Sequence, residues 1–214
     1  SGKWLDGIIR TLSYFGICAP AFLWAVFAML LFAYMLPILP ISGRLSAGIS
    51  PPAMVTGMYT IDFLLQGDVA GALDALKHLI LPAVVMSFAG ISQAARITRS
   101  SMVENLDKPY AYAERAYGIP ENKVLHKYLL KPSLNSTISV MALDIAGIFG
   151  SAFLVEQIFG YPGLSNYGLT AMLNKDVFAV SAVVMVLGII VIIFNLLADL
   201  VIRALDPRVR LQEK

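Results

Sequence analysis

Residues 177–198 read Val-Phe-Ala-Val-Ser-Ala-Val-Val-Met-Val-Leu-Gly-Ile-Ile-Val-Ile-Ile-Phe-Asn-Leu-Leu-Ala, 22 residues without a charge. A helix needs about 20 mostly apolar residues to cross the hydrocarbon core of a bilayer. Three more stretches have this character: 14–36 and 79–95 carry no charge, and 133–155 carries only Asp144. With polar ends included, spans are expected at about 14–36, 79–98, 133–155 and 177–202. Lipid offers no partner to backbone N–H and C=O groups, so each span should be helical. The dyad alternation of a membrane β-barrel is missing. Of the 214 residues, 58% are hydrophobic and 14% charged, against roughly 25% charged in soluble domains. That balance excludes a disordered chain, and a soluble globule of this size could not hide so much apolar surface. The expected fold class is all-α: a polytopic helical membrane protein, one domain over 1–214.

The charges outside the spans set the orientation. Segments 1–13, 96–132 and 199–214 hold thirteen of the sixteen Lys and Arg residues, while 37–78 and 156–176 hold three. The positive-inside rule then places both ends of the chain and the 96–132 loop in the cytoplasm. Loop 37–78 lies outside, rich in Pro and Gly, with a short amphipathic piece near 58–76. Its acids Asp62, Asp68 and Asp74 read as a solvated cap. The net charge of +2 gives no reason to expect nucleic acid. Cys18 is the only cysteine, and His78 and His126 form no ligand pattern, so no metal site is expected. There is no phosphate loop, no His-Glu-x-x-His and no Gly-x-Ser-x-Gly, so no catalytic residue is assigned.

Within loop 107–131 two short helices are expected around a break. Asp107 can cap the first, and Pro109 fits its first turn. Tyr110, Ala113, Glu114 and Tyr117 then share one face. Gly118 stands where a left-handed residue is wanted, and Pro120 blocks continuation and opens the second helix. Val124, Leu125, Tyr128 and Leu129 make the second apolar stripe, and Pro132 marks entry to the third span. A small, aromatic face suits docking into a partner's groove. A helix lying in the membrane interface fits the same residues.

The stretch Tyr110-Ala111-Tyr112-Ala113-Glu114-Arg115-Ala116-Tyr117-Gly118-Ile119-Pro120 resembles the EAA loop of ABC importer permeases. It is most similar to the dipeptide/oligopeptide/nickel subfamily, with Tyr110, Arg115, Ala116 and Gly118 matching. Glu114 and Tyr117 depart from it, standing where Ala and Lys are usual. Other resemblances follow in chain order: Gly16-Ile17-Cys18-Ala19-Pro20, Leu39-Pro40-Ile41-Ser42-Gly43, His78-Leu79-Ile80-Leu81-Pro82-Ala83 and Arg96-Ile97-Thr98-Arg99-Ser100. Val155-Glu156-Gln157-Ile158-Phe159-Gly160-Tyr161-Pro162-Gly163-Leu164, Asn195-Leu196-Leu197-Ala198-Asp199 and Asp206-Pro207-Arg208 complete the set. The resemblance implies a type I ABC importer (MetI-like) transmembrane domain with six spans, of which four are read here; the N-terminal two are expected to be missing from this sequence.

It further implies a permease subunit in the cytoplasmic membrane of a prokaryote, working by alternating access. ATPase coupling would fall to Tyr110, Ala113, Glu114, Arg115, Ala116, Tyr117 and Gly118. The implied partners are a homologous second permease, two ATP-binding-cassette ATPases holding ATP and Mg, and an external solute-binding protein; this chain itself binds no cofactor. Peptides are the expected cargo, with nickel, glutathione and oligosaccharide as alternatives. An ion-coupled secondary transporter is the rival from another class, although only Asp144 would then be an ionisable residue at midplane. A membrane scaffold with no switching element is a further rival. Asp144 costs about 2.5–3.5 kcal/mol on insertion scales, and it reads either as lining the translocation path or as an interhelical hydrogen-bond partner. Glu156 reads either as part of a loop folded into the outer mouth, again on the path, or as part of a plain interfacial turn.

Overall fold

A computed structural model describes residues 3–205. The Asp206-Pro207-Arg208 motif and the terminal Arg210 and Lys214 lie outside the described residues. All regular structure among the described residues is helical: α1 (Lys3–Cys18), α2 (Ala21–Met29), α3 (Tyr59–Leu65), α4 (Val69–Leu106), α5 (Pro109–Ala116), α6 (Glu121–Lys123), α7 (Leu130–Ile158), α8 (Leu164–Leu173) and α9 (Val177–Leu205). By length and composition α4 and α9 are each able to cross a membrane. The pairs Arg10–Cys18 with Ala21–Met35 and Glu121–Ile145 with Gly147–Ile158 also qualify when each is joined across a break or bend.

Prolines account for the differences from the expected spans. The 14–36 stretch is not one helix: it breaks at Pro20, whose extended backbone (φ −58°, ψ 147°) starts α2 afresh. Proline lacks the N–H that an uninterrupted helix would need there. Pro82, by contrast, lies inside α4, which begins at 69 rather than 79 and runs for 38 residues. At 1.5 Å per residue α4 is about 57 Å long, well beyond a bilayer core of roughly 30 Å. Pro132 does not separate the third span from the loop. The helical path runs from Glu121 through a π-turn at Val124–Leu129 straight into α7. In that turn the Leu130 N–H reaches the Leu125 carbonyl, five residues back. The widened turn sits where the Pro132 ring would otherwise crowd the preceding carbonyls.

The chain divides into two compact units. One contains 18–89 and 148–183. Its core joins Ala25, Ala28, Leu81, Val85, Val155 and Phe159. Alanines on α2 bring the backbones close, as small residues do between membrane helices. In the same unit Phe63, Ala72 and Ala75 seat α3 on the start of α4. The other unit contains, among the described residues, 3–17, 90–147 and 184–205. Here Thr98 and Thr137 hydroxyls meet at 2.7 Å, and the Asn105 amide donates to the Ser133 hydroxyl at 2.8 Å, pinning α4 to α7.

Most of segment 37–78 is exposed, Asp68 included, but Asp62 departs from the expected solvated cap. Asp62 is fully buried and accepts hydrogen bonds from the Thr56 N–H and hydroxyl (both 2.7 Å) and the Gly57 N–H (3.0 Å). Burial pushes its carboxyl up, but these hydrogen bonds outweigh it and hold the group below the ordinary carboxylate value. Asp74 accepts from the Ser46 N–H and hydroxyl at 2.8 and 2.6 Å. Asp68 accepts from the Gly71 N–H at 2.9 Å. The acids therefore fold the segment back on α3 and α4, because an irregular backbone needs partners for N–H groups that no ladder satisfies.

Candidate functional site: the α5 turn

The α5 helix sits in a prepared seat. Ala111, Val124 and Leu129 are completely buried, with Met102, Leu106, Tyr110, Ile119 and Leu125 packed around them. Met102 and Leu106 come from the end of α4, Val124 to Leu129 from the π-turn that leads into α7. An alanine at 111 is what lets α5 lie this close, since a larger side chain would have no room.

Pro109 occupies the first turn as expected, but Asp107 is not the cap: Lys108 takes that position, with no side-chain hydrogen bond to the helix. The other end follows the sequence reading. Gly118 has φ +76°. Its N–H bonds the Arg115 carbonyl at 2.9 Å, and the Ile119 N–H bonds the Glu114 carbonyl at 3.2 Å. This pair of bonds is a Schellman motif, which requires a left-handed residue at Gly118. Arg115 crosses the turn to Glu121 in a two-pronged ion pair, Nε to Oε2 at 3.0 Å and Nη2 to Oε1 at 2.8 Å. The hydrogen bonds that Arg115 donates to the Glu121 carboxylate raise its pKa further, so this cation stays charged throughout.

The seat divides the expected face. Tyr110 is half-buried and belongs to the seat, whereas Ala113 and Tyr117 point outward and Glu114 lies between. The exposed face consists of Tyr112, Ala113, Ala116 and Tyr117, at i, i+1, i+4 and i+5, with Tyr117 84% exposed. A seated helix that offers two tyrosines around two alanines presents a shallow, largely apolar surface on a fixed support. Helical period alone could not reveal which stripe is buried, because both stripes contain Tyr and Ala.

The other two expected residues stand apart from α5. Asp144 is half-buried on α7, and among the described residues no ion pair engages it. Glu156 has a local role: its carboxylate accepts from the Asn166 N–H at 2.6 Å and the Ser165 N–H at 3.4 Å, satisfying free donors in the first turn of α8. Gly163 precedes α8 directly, and a Cβ there would fall on that carboxylate. The Glu-x-x-Phe-x-x-Pro-Gly spacing is thus a folding unit, with Phe159 buried in the core.

Sequence reasoning passed over Arg44. Its guanidinium lies 3.6 Å from the centre of the Tyr59 ring and 5.3 Å from that of Tyr161, and Nη2 donates to the Gly57 carbonyl at 2.9 Å. Its position next to Leu39-Pro40-Ile41-Ser42-Gly43 was the available signal.

The profile described as "Binding-protein-dependent transport system inner membrane component" matches residues 1–211. The chain is 35% identical over 207 residues to the probable D,D-dipeptide transport system permease protein DdpB of Escherichia coli K12, covering 97% of this chain and 61% of that one. It is 32% identical to the di/tripeptide transport system permease protein DppB of Pseudomonas aeruginosa, covering 99% of this chain and 62% of that one. Against the dipeptide transport system permease protein DppB of Escherichia coli K12 the identity is 30%, over 98% of this chain and 62% of that one. The chain thus spans about three-fifths of the length of these relatives. An all-helical architecture with apolar helices fit for a membrane agrees with the profile match, and the chain belongs to the family of binding-protein-dependent transport system inner membrane components.

Proposed function

We propose that this chain is a transmembrane permease subunit of an ABC importer that carries peptides across the cytoplasmic membrane. The observation that carries the reading is the exposed Tyr112, Ala113, Ala116 and Tyr117 face of α5, mounted on the buried Ala111 seat. A permease without an ATP-binding loop of its own must receive motion from a partner. A short helix packed on the end of α4 and on the π-turn that leads into α7 is well placed to pass such motion to them. The partners in this reading are two ATPase subunits gripping α5 from the cytoplasm, a homologous permease, and an external solute-binding protein. ATP and Mg belong to the ATPases. The Lys/Arg bias supports a cytoplasmic position for 96–132. The peptide names of the relatives favour peptide cargo over nickel, glutathione or oligosaccharide, and a binding-protein-dependent family displaces the ion-coupled carrier and scaffold readings.

The test is cross-linking in native membranes. Cys18 is exposed and is the one cysteine of these 214 residues, so Cys18→Ser, with any cysteine elsewhere in the protein also replaced, clears the background. Tyr117→Cys in that background should cross-link to an ATPase subunit carrying a phosphate loop, and addition of ATP should change the yield. Cross-links only to lipid-directed probes, with no ATPase captured, would overturn the assignment of α5.

A further inference from the structure

We propose that Arg44 is a binding site for a carboxylate presented from the external side. All the groups that hold it belong to one compact unit. Its base is fixed because the Gly43 N–H donates to the carbonyl of buried Phe159 at 2.8 Å. Its guanidinium lies over the Tyr59 ring, 3.6 Å from the centre, with the centre of the Tyr161 ring at 5.3 Å. Nη2 donates to the Gly57 carbonyl at 2.9 Å. Gly57 has φ +81°, and its N–H donates to the Asp62 carboxylate at 3.0 Å, so the same residue serves both charges without pairing them.

Among the described residues this cation has aromatic partners but no anion. No ion pair engages Arg44 there, and its Nε is buried without a hydrogen-bond partner. The acids of the same segment are committed elsewhere: Asp62 to Thr56 and Gly57, Asp68 to Gly71, and Asp74 to Ser46. Aromatic faces attract a guanidinium, yet they accept none of its ordinary hydrogen bonds. A guanidinium carries five N–H donors in a flat fork that matches a carboxylate, and one neutral carbonyl uses little of that capacity. The two rings and the Gly57 bond fix the fork in advance, which lowers the ordering cost of binding. Arg44 is half-buried rather than enclosed, and it is the first charge after the uncharged run 14–36, at the edge of that apolar stretch. Two external carboxylates fit: the C-terminus of a peptide cargo, or an acidic side chain of the solute-binding protein. The external side is taken from the importer reading, on which the proposal rests, although none of its residues belongs to the α5 turn.

The test uses the complete complex with its ATPases and its solute-binding protein, and two arms separate the sources. The first measures the affinity of cargo-free binding protein for the complex in nanodiscs, at low and high salt. The second measures ATP-driven uptake of dialanine into proteoliposomes at saturating binding protein, where docking no longer limits. Melting of each complex is recorded alongside. Arg44→Gln should lower the value in at least one arm by roughly tenfold or more, as expected for loss of charge-assisted hydrogen bonds. Weaker docking with a smaller salt dependence identifies a side chain of the binding protein. Slower uptake with docking unchanged identifies the carboxylate of the cargo. Arg44→Lys, which keeps the charge but not the fork, should fall between, and it carries the comparison if Arg44→Gln fails to assemble. Tyr59→Leu keeps the charge and loosens its support, so it should lose less than Arg44→Gln. Equal losses in Tyr59→Leu and Arg44→Gln that follow a lowered melting temperature would show a structural brace and overturn the proposal, as would no change in either arm. A wild-type complex that takes up no dialanine would count against the importer reading, and the docking arm would still decide Arg44.

Discussion

Gly118 gives the sharpest test of the α5 turn. Its φ is +76°, and a Cβ built there meets nothing within 4 Å. Substitution therefore costs backbone strain alone, without a packing clash. The left-handed conformation costs a non-glycine residue about 1–2 kcal/mol, a factor of roughly 5–30 in the population of the correctly closed turn. Asparagine visits this conformation most easily and should lose least. Alanine should lose the amount just given, and valine more, since a β-branched residue at positive φ is a true outlier. The assay is peptide uptake by cells that carry Gly118→Asn, Gly118→Ala or Gly118→Val at matched membrane levels, alongside ATP hydrolysis by the purified complex. Uptake should fall in the order Gly, Asn, Ala, Val, with ATP hydrolysis losing its response to transport. Equal uptake by all four would show that the Schellman closure is not needed. Equal loss for Asn and Val would show that bulk on the surface matters, not the backbone.

Other tests address the remaining local devices. Ala111→Leu overfills a completely buried position and should destabilise by about 1–3 kcal/mol, seen as a lower melting temperature of the complex. Ala113→Leu, on the exposed face, should leave melting unchanged and reduce ATPase binding; equal melting shifts for both would refute the seat. Gly163→Ala should be damaging alone, yet the loss should shrink when Glu156→Ala removes the carboxylate that a Cβ would strike; a purely additive pair in a double-mutant cycle would rule that contact out. Asp62 has a native pKa below its ordinary value of 3.8. Its contribution to stability is therefore fully present above about pH 4 and is lost as pH falls through the lowered native value. Denaturation midpoints between pH 7 and pH 3 should show that loss in the wild type and a weaker pH dependence in Asp62→Asn; parallel curves would count against the buried Asp62 network.

Much of the molecule is readable along the chain because the forces concerned act within a turn or a span. Uncharged runs long enough to cross a bilayer, Pro109 at a helix start and Gly118 at a helix end each need only their own neighbours to be understood. Even the break at Pro20 follows from proline chemistry, although an uncharged run conceals it. Pro82 and Pro132 show the limit of such local reading: both lie within continuous helical paths, the second beside a widened turn that redirects the backbone bonds.

The sequence by itself determined the class, an all-helical membrane protein of a binding-protein-dependent importer family, because apolar run length and ordered short motifs are properties of the chain. Only the tertiary structure decided which stripe of α5 is hidden, because that depends on Met102 and Leu106 from α4 and on Val124 and Leu129 from the π-turn meeting at Ala111. It likewise decided that Asp62 is buried and that Glu156 caps α8. Burial and capping of this kind depend on residues distant in sequence, and no local pattern carries them.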